Sequence, residues 1–150
     1  MRRFVRKQLN RLEIDDLPFL YSLSFVKEVE TNDDDDDDII TCEETTTYND
    51  GHTMFATITI SKDVAPALQY DYQHLVHIEF PDDYPFSAPS VVLDEDDLLQ
   101  HPLIVDEHMI NMCDYTYFID ISQLLMNVYL IFWEALNDKQ NANVVERWNQ

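Results

Sequence analysis

The sequence predicts an α+β domain. Helical hydrophobic spacing near both ends of the chain encloses a central stretch of period-two alternation, and a proline-dense turn follows that alternation. The length of 150 residues suits one domain spanning 1–150, and the 45% apolar content, with eight Tyr, eight Phe and two Trp, is enough to build a core.

Residues 2–12 place Phe4, Val5, Leu9 and Leu12 at helical spacing, with arginine and lysine on the other face, so an amphipathic N-terminal helix is expected. Asp15, Asp16 and Pro18 follow. Phe19 to Val29, carrying Leu23, Phe25 and Val26, reads as a strand or a short apolar anchor. The six aspartates Asp33 to Asp38 repel one another and cannot pack, which predicts a solvated acidic loop or insertion near 30–50. Nothing interrupts the run with the ligand spacing of a cation site. Met54, Ala56, Ile58 and Ile60 alternate from Thr53 onward, as in a strand with one buried face. A second strand runs from Tyr72 to Phe80, where Val76, Ile78 and Phe80 alternate with His77 and Glu79. Three prolines between Pro81 and Pro89 end it, Ser90 to Leu93 forms a short further strand, and Asp94 to Asp97 is a second acidic loop. Ile121, Leu124, Leu125, Val128, Phe132, Ala135 and Leu136 fit a buried helix face, so a long helix is expected over 121–136. The expected core is therefore a helix, an antiparallel meander of three or four strands and a long helix.

Composition removes several functions. Gly51 is the one glycine in the chain, whereas dinucleotide fingerprints and phosphate-cradling loops need several. A net charge of −21 repels phosphate backbones and anionic lipid, so nucleic acid is not an expected partner. Arg2, Arg3, Arg6, Lys7 and Arg11 all precede the first acidic residue, Glu13. The molecule is thus a basic tip on an acidic body, suited to a partner with an acidic groove. Cys42 and Cys113 form no framework of bridges, which points to a reducing compartment, and no apolar stretch approaches the ~20 residues of a membrane span. A cytoplasmic or nuclear protein is expected. The alternative is a mitochondrial one, with the basic first twelve residues as an uncleaved targeting helix. No metal or cofactor is expected: His74 and His77 face opposite sides of a strand, and His101, His108 and Cys113 lack paired ligand spacing.

Phe80-Pro81-Asp82-Asp83-Tyr84-Pro85-Phe86-Ser87-Ala88-Pro89-Ser90-Val91 closely resembles the strand and Tyr-Pro-Phe-x-x-Pro turn of ubiquitin-conjugating enzymes, and His101-Pro102 resembles the start of their His-Pro-Asn motif. The run at 6–12 is similar to their first helix, and Ile121-Ser122-Gln123-Leu124-Leu125 to the helix after their active site. Residue types alone give the turn a structural purpose: Pro85 and Pro89 stiffen it, Tyr84 covers the core with its hydroxyl free to stay wet, and His101 is a hydrogen-bonded structural histidine.

The resemblance implies thioester chemistry on a cysteine ten residues after the motif histidine, yet that position is Asn111. An amide supplies no thiolate. Leu103 replaces the motif's asparagine, and Tyr115-Thr116-Tyr117-Phe118 replaces the family's Trp-Ser-Pro-Ala element. The expectation is a catalytically inactive relative that binds proteins, whether of the ubiquitin pathway or of a larger assembly. In the alternative, Cys113 reaches the nucleophile position through a register shift and the protein is an active conjugating enzyme, although Asp114 beside it opposes a thiolate. Partner contacts are expected from Arg2, Arg3, Arg6 and Lys7, from Phe86, which matches the family's ligase contact, and from Tyr129 and Trp133. Those two, with Leu130, lie away from the main apolar face of the last helix. Either a partner covers them, or residues 137–150 fold back over them through Val144, Val145 and Trp148.

Overall fold

The structure, a computed structural model, describes residues 2–32, 38–94, 99–106 and 108–150, and the side-chain surroundings of all of these outside 28–41. Helix α1 (Arg2–Ile14) turns Val5 and Leu12 into the core and leaves Phe4 largely in water. Seven strands follow among the described residues: β1 (Tyr21–Asn32), β2 (Asp38–Thr45), β3 (Thr53–Ile60), β4 (Tyr72–Glu79), β5 (Ser90–Leu93), β6 (Ile104–Val105) and β7 (Met109–Ile110). They form one antiparallel sheet in the order β2-β1-β3-β4-β5-β7-β6.

Seven strands replace the expected three or four. Strand β2 lies inside the segment read as an acidic loop or insertion; as an edge strand rich in Thr and Glu it has no apolar face to alternate, and charge on an edge blocks pairing with other chains. Aspartates 33–37 of the acidic run lie outside the described residues, as do 95–97 of the second acidic loop. Strands β6 and β7 have two residues each, too few to show any period.

Burial alternates strictly along β3, with Met54, Ala56, Ile58 and Ile60 inward, and β4 adds His74, Val76 and Ile78. Helix α2 (Ile121–Leu136) covers this face with Ile121, Leu125, Val128, Phe132 and Ala135 in a single core cluster. A capping box starts α2. The Asp120 carboxylate accepts the Gln123 N–H at 2.9 Å, and the Gln123 side chain accepts the Asp120 N–H at 3.3 Å. Ser122 donates to Asp15 at 2.9 Å and so ties the start of α2 to the end of α1.

After α2, a 3₁₀ turn (Lys139–Asn141) leads into helix α3 (Ala142–Trp148). Asn141 is fully buried. Its amide donates to the carbonyls of Gln100 and Ala135, each at 2.8 Å, and its Oδ1 accepts the Gln100 N–H at 2.8 Å. Trp148 stacks on Tyr72 with ring centres 4.3 Å apart. His74 lies beneath, its ring 3.7 Å from that of Phe132, and burial lowers its pKa to about 3, so it is neutral at physiological pH. No helix among the described residues is long and apolar enough to cross a membrane.

Candidate functional site

The proline turn leaves β4 and is held on two sides. Tyr84 packs edge-on against Phe80 at 4.8 Å, and its hydroxyl donates to the Gln8 side chain on α1. This corrects the expectation of a wet hydroxyl: Tyr84 is buried, and burial pushes the phenol far above its ordinary pKa. From the opposite side Tyr115 donates its hydroxyl to the Pro85 carbonyl at 2.6 Å. Pro85 and Pro89 are buried in this frame.

Phe86 is turned outward from the held turn and is 73% exposed. Its ring centre lies 6.1 Å from that of Tyr117, which is 4.1 Å from Phe118. Tyr117 and Phe118 are 54% and 74% exposed. Three aromatic rings therefore form one patch on the surface, against the usual preference of such rings for the core. Sequence reasoning named Phe86 alone; the available signal was the adjacent pair Tyr117-Phe118 in a segment without periodicity.

His101 and Pro102 sit just before the β6–β7 hairpin. The Leu103 N–H donates to His101 Nδ1 at 3.0 Å, which fixes the proton on Nε2, and Nε2–H donates to Glu134 of α2 at 2.7 Å. Both ring nitrogens are engaged in holding the hairpin to the helix. Register pairs Ile104 with Ile110, and the Asn111 N–H donates to the Leu103 carbonyl at 2.7 Å. The hairpin thus brings together His101, Leu103 and Asn111, the positions the motif comparison singles out. The Asn111 side chain closes a local turn by accepting the Cys113 N–H at 2.9 Å. Cys113 is exposed two residues further on.

Between this hairpin and α2 lies a cleft of about 310 Å³, with apolar walls from Leu103, Met112, Leu130 and Ile131 and polar groups from Asn111 and Glu134. Cys113 does not line it. No group of three or more His, Cys, Asp or Glu able to hold a metal ion occurs among the described residues.

The other predicted contact residues are dispersed. Arg2, Arg3, Arg6 and Lys7 are exposed on α1, where Arg6 pairs with Asp50. Tyr129 stacks on Phe19 at 4.4 Å, and Trp133 donates its indole N–H to the Val64 carbonyl at 2.8 Å. Segments preceding β1 and β4 meet these two side chains, while the C-terminal α3 reaches Tyr72 instead. Leu130 remains 41% exposed at the cleft. Compared with family models and with curated proteins, the chain matches none.

Proposed function

We propose that this chain is a protein-binding module on a ubiquitin-conjugating-like frame that lacks the family's thioester chemistry, and that it contacts its partner through Phe86, Tyr117 and Phe118. The exposed aromatic patch carries the proposal. Rigid aromatic rings held in water are the side chains that most often dominate interface energy, and here two hydrogen-bonded tyrosines, Tyr84 and Tyr115, hold the turn that presents Phe86. Asn111 at the position of the family cysteine supports the absence of transfer chemistry, because its amide forms no thioester and already serves as a turn acceptor. The basic face of α1 supports steering toward an acidic partner of the ubiquitin pathway or of a larger assembly.

Two assays test the proposal. Incubation with activating enzyme, ATP and ubiquitin should give no reductant-sensitive adduct. An adduct lost in Cys113→Ala would overturn the inactive reading and establish the conjugating enzyme. Replacing Phe86, Tyr117 and Phe118 together with alanine should abolish partner capture, since such anchors are worth ~2 kcal/mol or more each, while the melting temperature stays close to that of the parent. Undiminished capture would refute the patch.

A further inference from the structure

Strand β1 is covered along part of its outer edge. Phe25 lies opposite Thr45, and from there β2 pairs with β1 as far as Asn32, whereas Tyr21 to Ser24 pair with β3 alone. The covering strand stops at Thr45 because the chain turns there. The Thr45 hydroxyl donates to the Thr47 carbonyl at 2.9 Å, and Tyr48 then packs edge-on against Phe25 with ring centres 5.4 Å apart.

The ladder with β3 fixes which backbone groups are left open. The Thr59 N–H donates to the Leu20 carbonyl at 2.9 Å, so Leu20, Ser22 and Ser24 turn their backbone groups toward β3, and Tyr21 and Leu23 turn theirs to the opposite edge. Among the described residues no backbone group pairs with them there. The N–H and C=O groups of these two residues therefore stand in a row, spaced for another strand. Tyr21 and Leu23 pair with Ile58 and Ala56, both buried, and so share the inward face with Phe25. A groove of about 520 Å³ runs between this edge and α1, where Leu9 and Leu12 give it an apolar wall and exposed Glu13 a carboxylate. Burial raises the pKa of the Tyr21 phenol and the Glu13 and Asp15 carboxylates raise it further, which marks this end of the groove as negative. Arg6, which also lines the groove, is already paired with Asp50.

We infer that this edge receives an extended segment of a partner protein as an added strand, antiparallel to β1 and in line with β2, with two apolar residues on either side of a polar one and lysine or arginine after them. Directly opposed residues share a face, so the two apolar side chains enter the groove opposite Leu23 and Tyr21, and the residue between them faces outward with Ser22. Each apolar residue exchanges both of its backbone groups with β1. The cations follow beyond Tyr21 and meet Glu13. The edge is separate from the Phe86 patch. Self-pairing of two such edges is disfavoured, because each copy of the chain carries −21.

The probe is a synthetic peptide, Ser-Val-Thr-Val-Lys-Lys, acetylated and amidated at its ends. Two twins accompany it, one with both valine nitrogens methylated and one with glutamate for both lysines. Titrated into the full chain, the first peptide should shift the backbone amide resonances of Tyr21 and Leu23 and slow their exchange with solvent. The methylated twin keeps the side chains but lacks the two donors, and should bind about tenfold more weakly. Glu13→Lys should weaken binding of the first peptide about fivefold; the position is exposed, and melting curves check the fold. The Phe86, Tyr117 and Phe118 alanine variant should bind the peptide undiminished, so failure of the patch and failure of this edge are separable. Equal binding of the methylated or the glutamate twin, shifts confined to other surfaces, or no effect of Glu13→Lys would overturn the proposal. Sedimentation showing a concentration-dependent dimer that the peptide disperses would also overturn it and give the edge to a second copy.

Discussion

Replacing Asn141 should unsettle both the fold and the segment from Gln100 to His101 that leads into the β6–β7 hairpin. Asn141→Ala removes three hydrogen bonds, but the losses are unequal. The Gln100 carbonyl keeps a contact from the Gln140 amide at 3.3 Å, and the Ala135 carbonyl keeps the Asp138 N–H at 3.2 Å. The Gln100 N–H has Oδ1 of Asn141 as its acceptor and loses it outright. One stranded donor and two weakened acceptors cost about 2–3 kcal/mol. In a domain of this size the melting temperature should fall by about 5–10 °C. Asn149 provides an internal control, since this half-buried residue makes a similar pair of contacts, to the Gln69 N–H and the Ala67 carbonyl, through hydrogen bonds that are open to solvent. Water replaces its bonds, so Asn149→Ala should cost about 1 kcal/mol or less. Asn141→Asp is the sharper probe. It retains an acceptor for Gln100 but sets a buried negative charge against two carbonyl oxygens, and it should destabilise more than alanine despite matching the native shape. Chemical denaturation measures all three, and amide exchange at Gln100 reports the local opening. An aspartate variant as stable as the alanine one, or an Asn149→Ala loss equal to that of Asn141→Ala, would refute the burial argument.

Acid should destabilise the fold through His74, whose folded pKa of about 3 lies below its ordinary 6.5. The unfolded chain then binds the extra proton, so stability from this group is complete above pH 6.5 and is lost as pH falls toward 3, by up to about 1.4 kcal/mol per pH unit. Urea midpoints at pH 7 and pH 5 should differ by less in His74→Leu than in the parent; equal differences would remove His74 as the cause. Asp120→Ala breaks the capping box of α2 and should cost about 1 kcal/mol in a thermal melt, with Gln123→Ala costing less. Tyr84→Phe loses the bond to Gln8 while keeping its ring against Phe80, and should cost about 1 kcal/mol in the same assay. A loss of several kcal/mol there would mean that the hydroxyl organises more of the turn than this one contact.

What the sequence determined by itself was whatever a short window can encode. The period of the apolar residues specified α1, β3, β4 and α2, with α2 ending at the residues expected, because an amphipathic element repeats its buried side chains every two or 3.6 positions. Tertiary structure decided the rest. Strand β2 exists by pairing with β1, and β6 and β7 by pairing with each other, none having a periodic face of its own. The Phe86, Tyr117 and Phe118 patch joins rings about thirty residues apart. Asn141 looked like any asparagine in a polar tail, and the Tyr84 hydroxyl like one that faces water. Their burial depends on which distant segments arrive around them, and such contacts have no period in the chain.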